Sequence, residues 1–221
     1  MGFDIYVLKQ YSPALLGGFL TTLWVVAGSL LLAIVLGLLG CLGSLTGRGV
    51  VFRVSRWYVD FFRVVPDVVL IFWVYFCFPL IFSLRLSATA SGILALAVGT
   101  GAYMAEVFRA GVQAVPRGQI EAALALGIPT VERWRRIILP QVIRRMMPAF
   151  INTFTDLLKH SSLLAGITVG EMTYVAYTVG AQTFRYVETL TAVAAAYFVI
   201  IFPLSLYVRR AEGQTLRRTG Q

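Results

Sequence analysis

Long apolar runs bounded by short polar stretches recur along this chain. Residues 19–45 carry no charge and are long enough to cross a bilayer core with some tilt. Residues 57–82 form a second apolar run, entered through YVDFFRVVPDVVL, and residues 86–105 a third without charge. A fourth run, 146–165, is the most polar, because Asp156, Lys159 and His160 interrupt it. Residues 189–208 form an uncharged fifth. The pattern predicts an all-α integral membrane protein of five transmembrane helices, folded as a single domain over residues 1–221. Outside the runs, residues 1–18 intersperse Phe3, Tyr6 and Val7 with polar positions and place Pro13 after Ser12. They predict an N-terminal interfacial helix, with Ser12 as its N-cap. The basic start and small-residue cleavage site of a signal peptide are lacking. Between the fourth and fifth runs, Thr168 and Glu171 have capping-box spacing. Val169, Met172, Val175, Ala176 and Val179 then suit one side of a short amphipathic helix.

The most polar long segment is 116–140, PRGQIEAALALGIPTVERWRRIILP. It reads as two short amphipathic helices. In the first, Ile120, Ala123, Leu124 and Leu126 share an apolar side. Gly127 follows, where a helix end needs a residue that tolerates positive φ, and Pro129 suits the first turn of a new helix. In the second, Val131, Trp134 and Ile138 recur at helical spacing, Arg133, Arg135 and Arg136 lie between them, and Pro140 stops the helix. Neither helix can span a bilayer, so the pair lies outside the lipid and its apolar stripe needs a partner.

Glu121-Ala122-Ala123, Gly127 and Ile138-Leu139-Pro140, in this order and spacing, resemble the EAA loop of bacterial ATP-binding-cassette (ABC) importer permeases. Tyr103, Glu106, Arg109 and Gly111, then Pro116, Gly118 and Gln119, are similar to the polar amino acid permease branch, and the likeness covers roughly residues 18–210. It implies the small ABC importer permease fold with a cytoplasmic coupling helix. Glu121, Ala122, Ala123, Gly127 and Pro140 would dock into the ATPase. It further implies two ATPase subunits, a second permease subunit (identical or paralogous) and a periplasmic substrate-binding protein, with a polar amino acid or close analogue as substrate. No GxxxxGK[ST] loop occurs, so the chain cannot supply its own ATPase. The resemblance implies no cofactor in this chain and ATP bound by the partner ATPase subunits. The residues alone also allow a basic helix pair lying on anionic lipid. They allow as well a secondary transporter or channel driven by an ion gradient.

Composition sharpens the class. The chain is 58% hydrophobic and 13% charged, with a net charge of +9, and its mean hydropathy is +0.80. Its arginines gather in loops beside apolar runs, which is a topology signal and not a nucleic-acid surface. Arg48 to Arg56, Arg133 to Arg145 and the tail of Arg209, Arg210, Arg217 and Arg218 fall on one side, against Lys9, Arg85 and Arg185 on the other. The positive-inside rule puts the first set in the cytoplasm, so the C-terminus is cytoplasmic and the N-terminus periplasmic or extracellular. The family resemblance implies the bacterial inner membrane, with the N-terminus in the periplasm. Cys41 and Cys77 lie within apolar runs and read as small core residues. No metal-ligand spacing or Ser–His–Asp set occurs, so no metal, catalytic residue or enzyme activity is expected.

Ionisable residues inside spans each cost roughly 2.5–3.5 kcal/mol at the bilayer centre on insertion scales, and so mark function or pairing. Asp60 and Arg63 read as an i, i+3 pair at the entry to the second run, near Asp67. FRVVP resembles the family's Phe-Arg-Gly-Thr-Pro, with Arg63 and Pro66 matching and Val64 and Val65 departing. Glu106 and Arg109 read as a structural ion pair. NTFTDLLKHSSL resembles the family's Lys-Asp-Thr-Ser-Leu region. Lys159, Ser162 and Leu163 match, while His160 and Ser161 depart. His160 reads as a polar interface residue, with a pH sensor as the alternative. Asn152, Asp156, Lys159 and Leu163 share one helix face. Asn152, Asp156 and Lys159 are the candidate substrate-pathway residues, with Asp156 facing the substrate ammonium. The alternative is an Asp156–Lys159 pair that only neutralises two charges.

Overall fold

The computed structural model describes residues 4–219, with side-chain surroundings for residues 4–210. Phe3 and the side chains of Arg217 and Arg218 lie outside the described residues. Helix α1, Ile5–Gln10, is capped by Asp4, whose carboxylate accepts from the Tyr6 N–H at 2.9 Å. Helix α2, Ser12–Leu45, is continuous through the first apolar run, so residues 12–18 extend the span and do not belong to a separate surface helix. Ser12 is not its N-cap. Tyr11 holds that position, and the Ser12 hydroxyl donates to Lys9 O at 2.8 Å.

Next come α3 (Gly49–Phe62), α4 (Asp67–Phe72), a π-helical turn (Trp73–Cys77) and α5 (Phe78–Phe82). The expected second span, 57–82, is therefore not one helix. The two halves bend by 107° between α3 and α4. Pro66, extended at ψ 133°, heads α4 without donating, and its ring disfavours a helical Val65.

Helix α6, Ala88–Gln113, is the central helix, with 67% of its span buried against 11% for the last span. Then follow α7 (Arg117–Ala125), α8 (Thr130–Glu132), a π-helical turn (Arg133–Ile138) and α9 (Leu139–His160). A 3₁₀ segment (Ser161–Ile167), α10 (Met172–Thr183) and α11 (Tyr186–Thr219) complete the fold. Among the described residues three helices, Ser12–Leu45, Ala88–Gln113 and Tyr186–Arg210, are long and apolar enough to cross a membrane, or up to four if the bent pair counts as one span. The expected fourth span is not among them. Helix α9 carries Arg144, Arg145, Asp156 and Lys159, and gives way to the 3₁₀ segment at Ser161.

Close contacts set the direction of each helix. A methyl group added at Gly28 would meet Ile93, one at Gly37 would meet Met104, and one at Gly40 would meet Ala105. Residue numbers rise together, so α2 and α6 run parallel, and residues 46–87 return the chain to the side on which α2 began. Gly111 lies against Val142 and Met146, and Gly92 against Leu164. Helix α9 and the 3₁₀ segment thus run antiparallel along the length of α6. Leu96, Leu157, Leu158, Leu164, Ile71 and Val25 fill the core where these elements meet.

Glu171, and not Thr168, caps α10. Its carboxylate accepts from the N–H groups of Thr173 (2.9 Å) and Tyr174 (2.7 Å), while Thr168 takes a left-handed conformation (φ 62°) that ends the 3₁₀ segment. Burial pushes the Glu171 carboxyl above the ordinary carboxylate range, and the two N–H groups oppose that rise. Met172 and Ala176 pack on Val193, so the expected amphipathic helix docks on α11.

Candidate functional site

The loop between α6 and α9 stands on an apolar foot and presents an exposed surface. Val115, Ile138 and Val142 are buried together with Ile120 and Met146 beside them, fixing the loop to the ends of α6 and α9. Ala123 is buried, whereas Glu121 and Ala122 are exposed. Leu124 and Leu126, expected on the apolar side with Ile120, instead project outward at 55% and 78% exposure. Val131 and Trp134 are exposed as well. The turn after α7 is set by Gly127 at φ +67°. Ile128 N–H donates to Ala123 O (3.0 Å) and Gly127 N–H to Leu124 O (2.9 Å), the paired bonds of a Schellman end. A side chain at Gly127 has open space around it, so backbone conformation and not packing selects glycine there.

Pro140 does not stop a helix. It falls in the first turn of α9, directly after the π-helical turn Arg133–Ile138. Pro79 occupies the same place after the π-helical turn Trp73–Cys77. A proline in a helix removes one N–H and crowds the carbonyl four residues back, and a widened turn upstream relieves that clash.

The second feature is a polar cavity of about 300 Å³ lined by Asp67, Thr100, Tyr103, Thr153, Asp156, Leu157 and His160. Asp67 begins α4, just past the break; Thr100 and Tyr103 come from α6; the others lie on α9. Tyr103 ties the break in place. Its hydroxyl donates to Arg63 O at 3.1 Å, satisfying a carbonyl freed where α3 ends, and its ring lies 5.6 Å beneath the Arg63 guanidinium. The expected Asp60–Arg63 pair is absent, because Asp60 pairs with Arg56 at 3.1 Å.

Of the candidate pathway residues, Asp156 lines the cavity, and Lys159 reaches it at 3.1 Å through an exposed pair. Asn152 is exposed on the same face of α9 but does not line the cavity. Glu106 and Arg109 form a paired contact, with Arg109 Nε donating to Glu106 Oε2 at 2.9 Å, and Arg56 of α3 approaches Glu106 at 3.7 Å. Among the described residues no group of side chains has the makings of a metal site. Sequence reasoning did not join Asp67 to His160, whose Nδ1 lies 3.3 Å from Asp67 Oδ2. The available signal was Pro66, which announces that the residue after it starts a new helix.

Residues 29–215 match the family model described as the binding-protein-dependent transport system inner membrane component. The chain is 36% identical to the Bacillus subtilis (strain 168) protein named probable amino-acid permease protein YxeN, over 88% of each chain. It is 33% identical to the glutamine transport system permease protein GlnP of Escherichia coli (strain K12), over 96% of this chain and 97% of that one. A crystal structure of an amino acid ABC transporter with histidines superposes with a TM-score of 0.85 at 32% identity, covering 95% of this chain and all of the other. The same fold, the exposed loop with its left-handed glycine and full-length similarity converge: this chain belongs to the inner-membrane components of binding-protein-dependent transport systems and is a permease subunit of a polar amino acid ABC importer, not an enzyme.

Proposed function

We propose that residues 116–140 couple this permease to its ATPase and that the cavity between α4, α6 and α9 lies on the substrate pathway. The observation that carries the coupling reading is the Schellman end at Gly127, which turns two helices into one exposed surface bearing Glu121, Leu124, Leu126, Val131 and Trp134. Ala122 and Ala123 keep that surface close to the apolar foot, and Pro140 joins it to α9. Two ATPase subunits bind ATP beneath two permease subunits, identical or paralogous, and a periplasmic binding protein delivers the amino acid above. The end that bears Arg48, Arg53, Arg56 and the loop faces the cytoplasm, which puts the N-terminus in the periplasm and the C-terminus in the cytoplasm. Asp156 supplies an anionic partner for the substrate ammonium, with Lys159 and Asn152 beside it on α9. ATP shifts the population between two access states by binding one of them better. Membership of the ABC family supports ATP hydrolysis by the ATPase as the energy source, in preference to an ion gradient.

The test is the assembled transporter in proteoliposomes. Gly127→Val forces a β-branched residue into positive φ, at roughly 1–3 kcal/mol of local strain, and Glu121→Lys reverses a charge on the exposed surface. Both variants should insert normally, bind the ATPase more weakly and lose most substrate-stimulated ATP hydrolysis. Normal stimulation in both would overturn the coupling assignment.

A further inference from the structure

His160 is the only histidine in the chain. Histidine is also the one side chain whose ordinary titration falls between pH 5 and 8. It ends α9 and faces the polar cavity, with Nδ1 3.3 Å from Asp67 Oδ2. Asp67 is the first residue of α4, directly after the 107° bend. The contact therefore bridges the cavity, from the far half of the broken span to the helix that bears Asp156. Elsewhere α4 rests on apolar neighbours, as where Phe72 meets Gly166 of the 3₁₀ segment.

The charges around the pair leave the two residues to each other. On α9, Lys159 is engaged by Asp156 at 3.1 Å. From α6, Tyr103 presents its ring to Arg63 and its hydroxyl to Arg63 O. On the far side of the α9 end, Tyr197 of α11 lies 3.4 Å from the Ser161 hydroxyl and 3.5 Å from Glu171, so these groups approach the neighbour of His160 and not the imidazole. Asp156, one turn before His160, lines the same cavity but pairs with Lys159, so among the described residues the charge in contact with His160 is the Asp67 carboxylate. With the imidazole protonated, the two form a closed ion pair. With it neutral, Asp67 loses its cationic partner and keeps at most a neutral hydrogen bond from one imidazole tautomer, which holds it less firmly.

We propose that His160 and Asp67 form a proton-operated latch across the cavity. Protonation holds α4 against α9 and narrows the cavity, and loss of the proton frees the α4 end of the broken span. The latch is a property of this chain's own packing and holds whether or not Asp156 binds the substrate. Its test therefore uses a structural readout and not transport.

Backbone hydrogen exchange over residues 67–72 is measured at pH 6 and pH 8 in the transporter assembled with its ATPase in lipid nanodiscs, each rate corrected for intrinsic exchange. The wild type should be protected roughly two- to fivefold more at pH 6, as suits a partly exposed pair. His160→Gln and Asp67→Asn should each remove that difference. His160→Lys, which keeps a positive charge at both values, should hold the protection of pH 6 throughout. Each variant is compared with itself, so a general loss of stability moves both readings and leaves the difference legible. No difference in the wild type, a difference that survives His160→Gln, or a His160→Lys variant that still responds to pH would overturn the latch.

Discussion

Along α2 and α6, glycines let two backbones approach until a single added carbon has nowhere to go. A methyl at Gly37 would lie 2.6 Å from Met104 Cβ, and one at Gly101 would lie 2.9 Å from Leu36 Cβ and 2.7 Å from the Tyr58 hydroxyl. Across the cavity, α4 and α9 meet through Asp67 and His160, with Thr153 and Asp156 lining the gap. One contact is dry, close and made of small residues; the other is polar and roomy. In lipid, where burying apolar surface gains little, close packing is what holds helices together. The α2–α6 seam therefore has the character of a fixed frame, and the α4–α9 wall that of a surface able to change spacing without breaking a packed core.

Breaking the frame should have the largest effect. Gly37→Leu forces α2 off α6 and should cost about 1–3 kcal/mol or more, by the usual penalty for overpacking. The expected outcome is a lowered melting temperature of the detergent-solubilised transporter and poor recovery from the membrane. A variant that melts with the wild type would mean the seam is looser than its contacts imply.

Changing the wall should leave the fold alone. Asp156→Asn removes one charge from the cavity while keeping its shape. Assembly and basal ATP hydrolysis should persist, and stimulation by substrate should disappear. If affinity and transport are unchanged, Asp156 is a structural partner of Lys159 and the ammonium is bound elsewhere.

The smallest effect is expected at the join between the two regions. Tyr103→Phe deletes the hydroxyl that holds Arg63 O, worth about 0.5–1.5 kcal/mol for one hydrogen bond. Exchange of the Arg63 to Leu70 amides should rise while that of 96–108 stays constant. A uniform rise over both stretches would show that the break and the frame open together.

Much of this division could be read from residue order alone. The uncharged runs that make up most of α2, α6 and α11 announce themselves by hydropathy, and Gly127 announces the left-handed turn that it adopts. The bend at 63–66 stays hidden, because Val64 and Val65 keep the apolar run unbroken while Pro66 ends the helix beneath it. Asp60 had two partners at helical spacing, and nothing local decides between Arg56 and Arg63; the stacking of Arg63 on Tyr103, forty positions away, does. The cavity is assembled from Asp67, Thr100, Tyr103 and His160, whose proximity arises only when α4, α6 and α9 are packed. Leu124 and Leu126 look like core by periodicity, and their exposure shows that periodicity marks a surface needing cover without saying which molecule covers it.

The widened turn at Arg133–Ile138 has a mechanical meaning. Had Pro140 ended a helix, the loop and the cavity would be joined by a hinge, and motion at one would dissipate before reaching the other. Instead helical backbone continues from Thr130 to His160, through the π-helical turn and past Pro148 inside α9, over roughly 45 Å at the ordinary rise per residue. Trp134 stands near one end, and Asp156 and His160 near the other. With the loop as the coupling element proposed above, a tilt imposed there would travel along one helix to the wall that bears both side chains, less whatever Pro148 absorbs by bending.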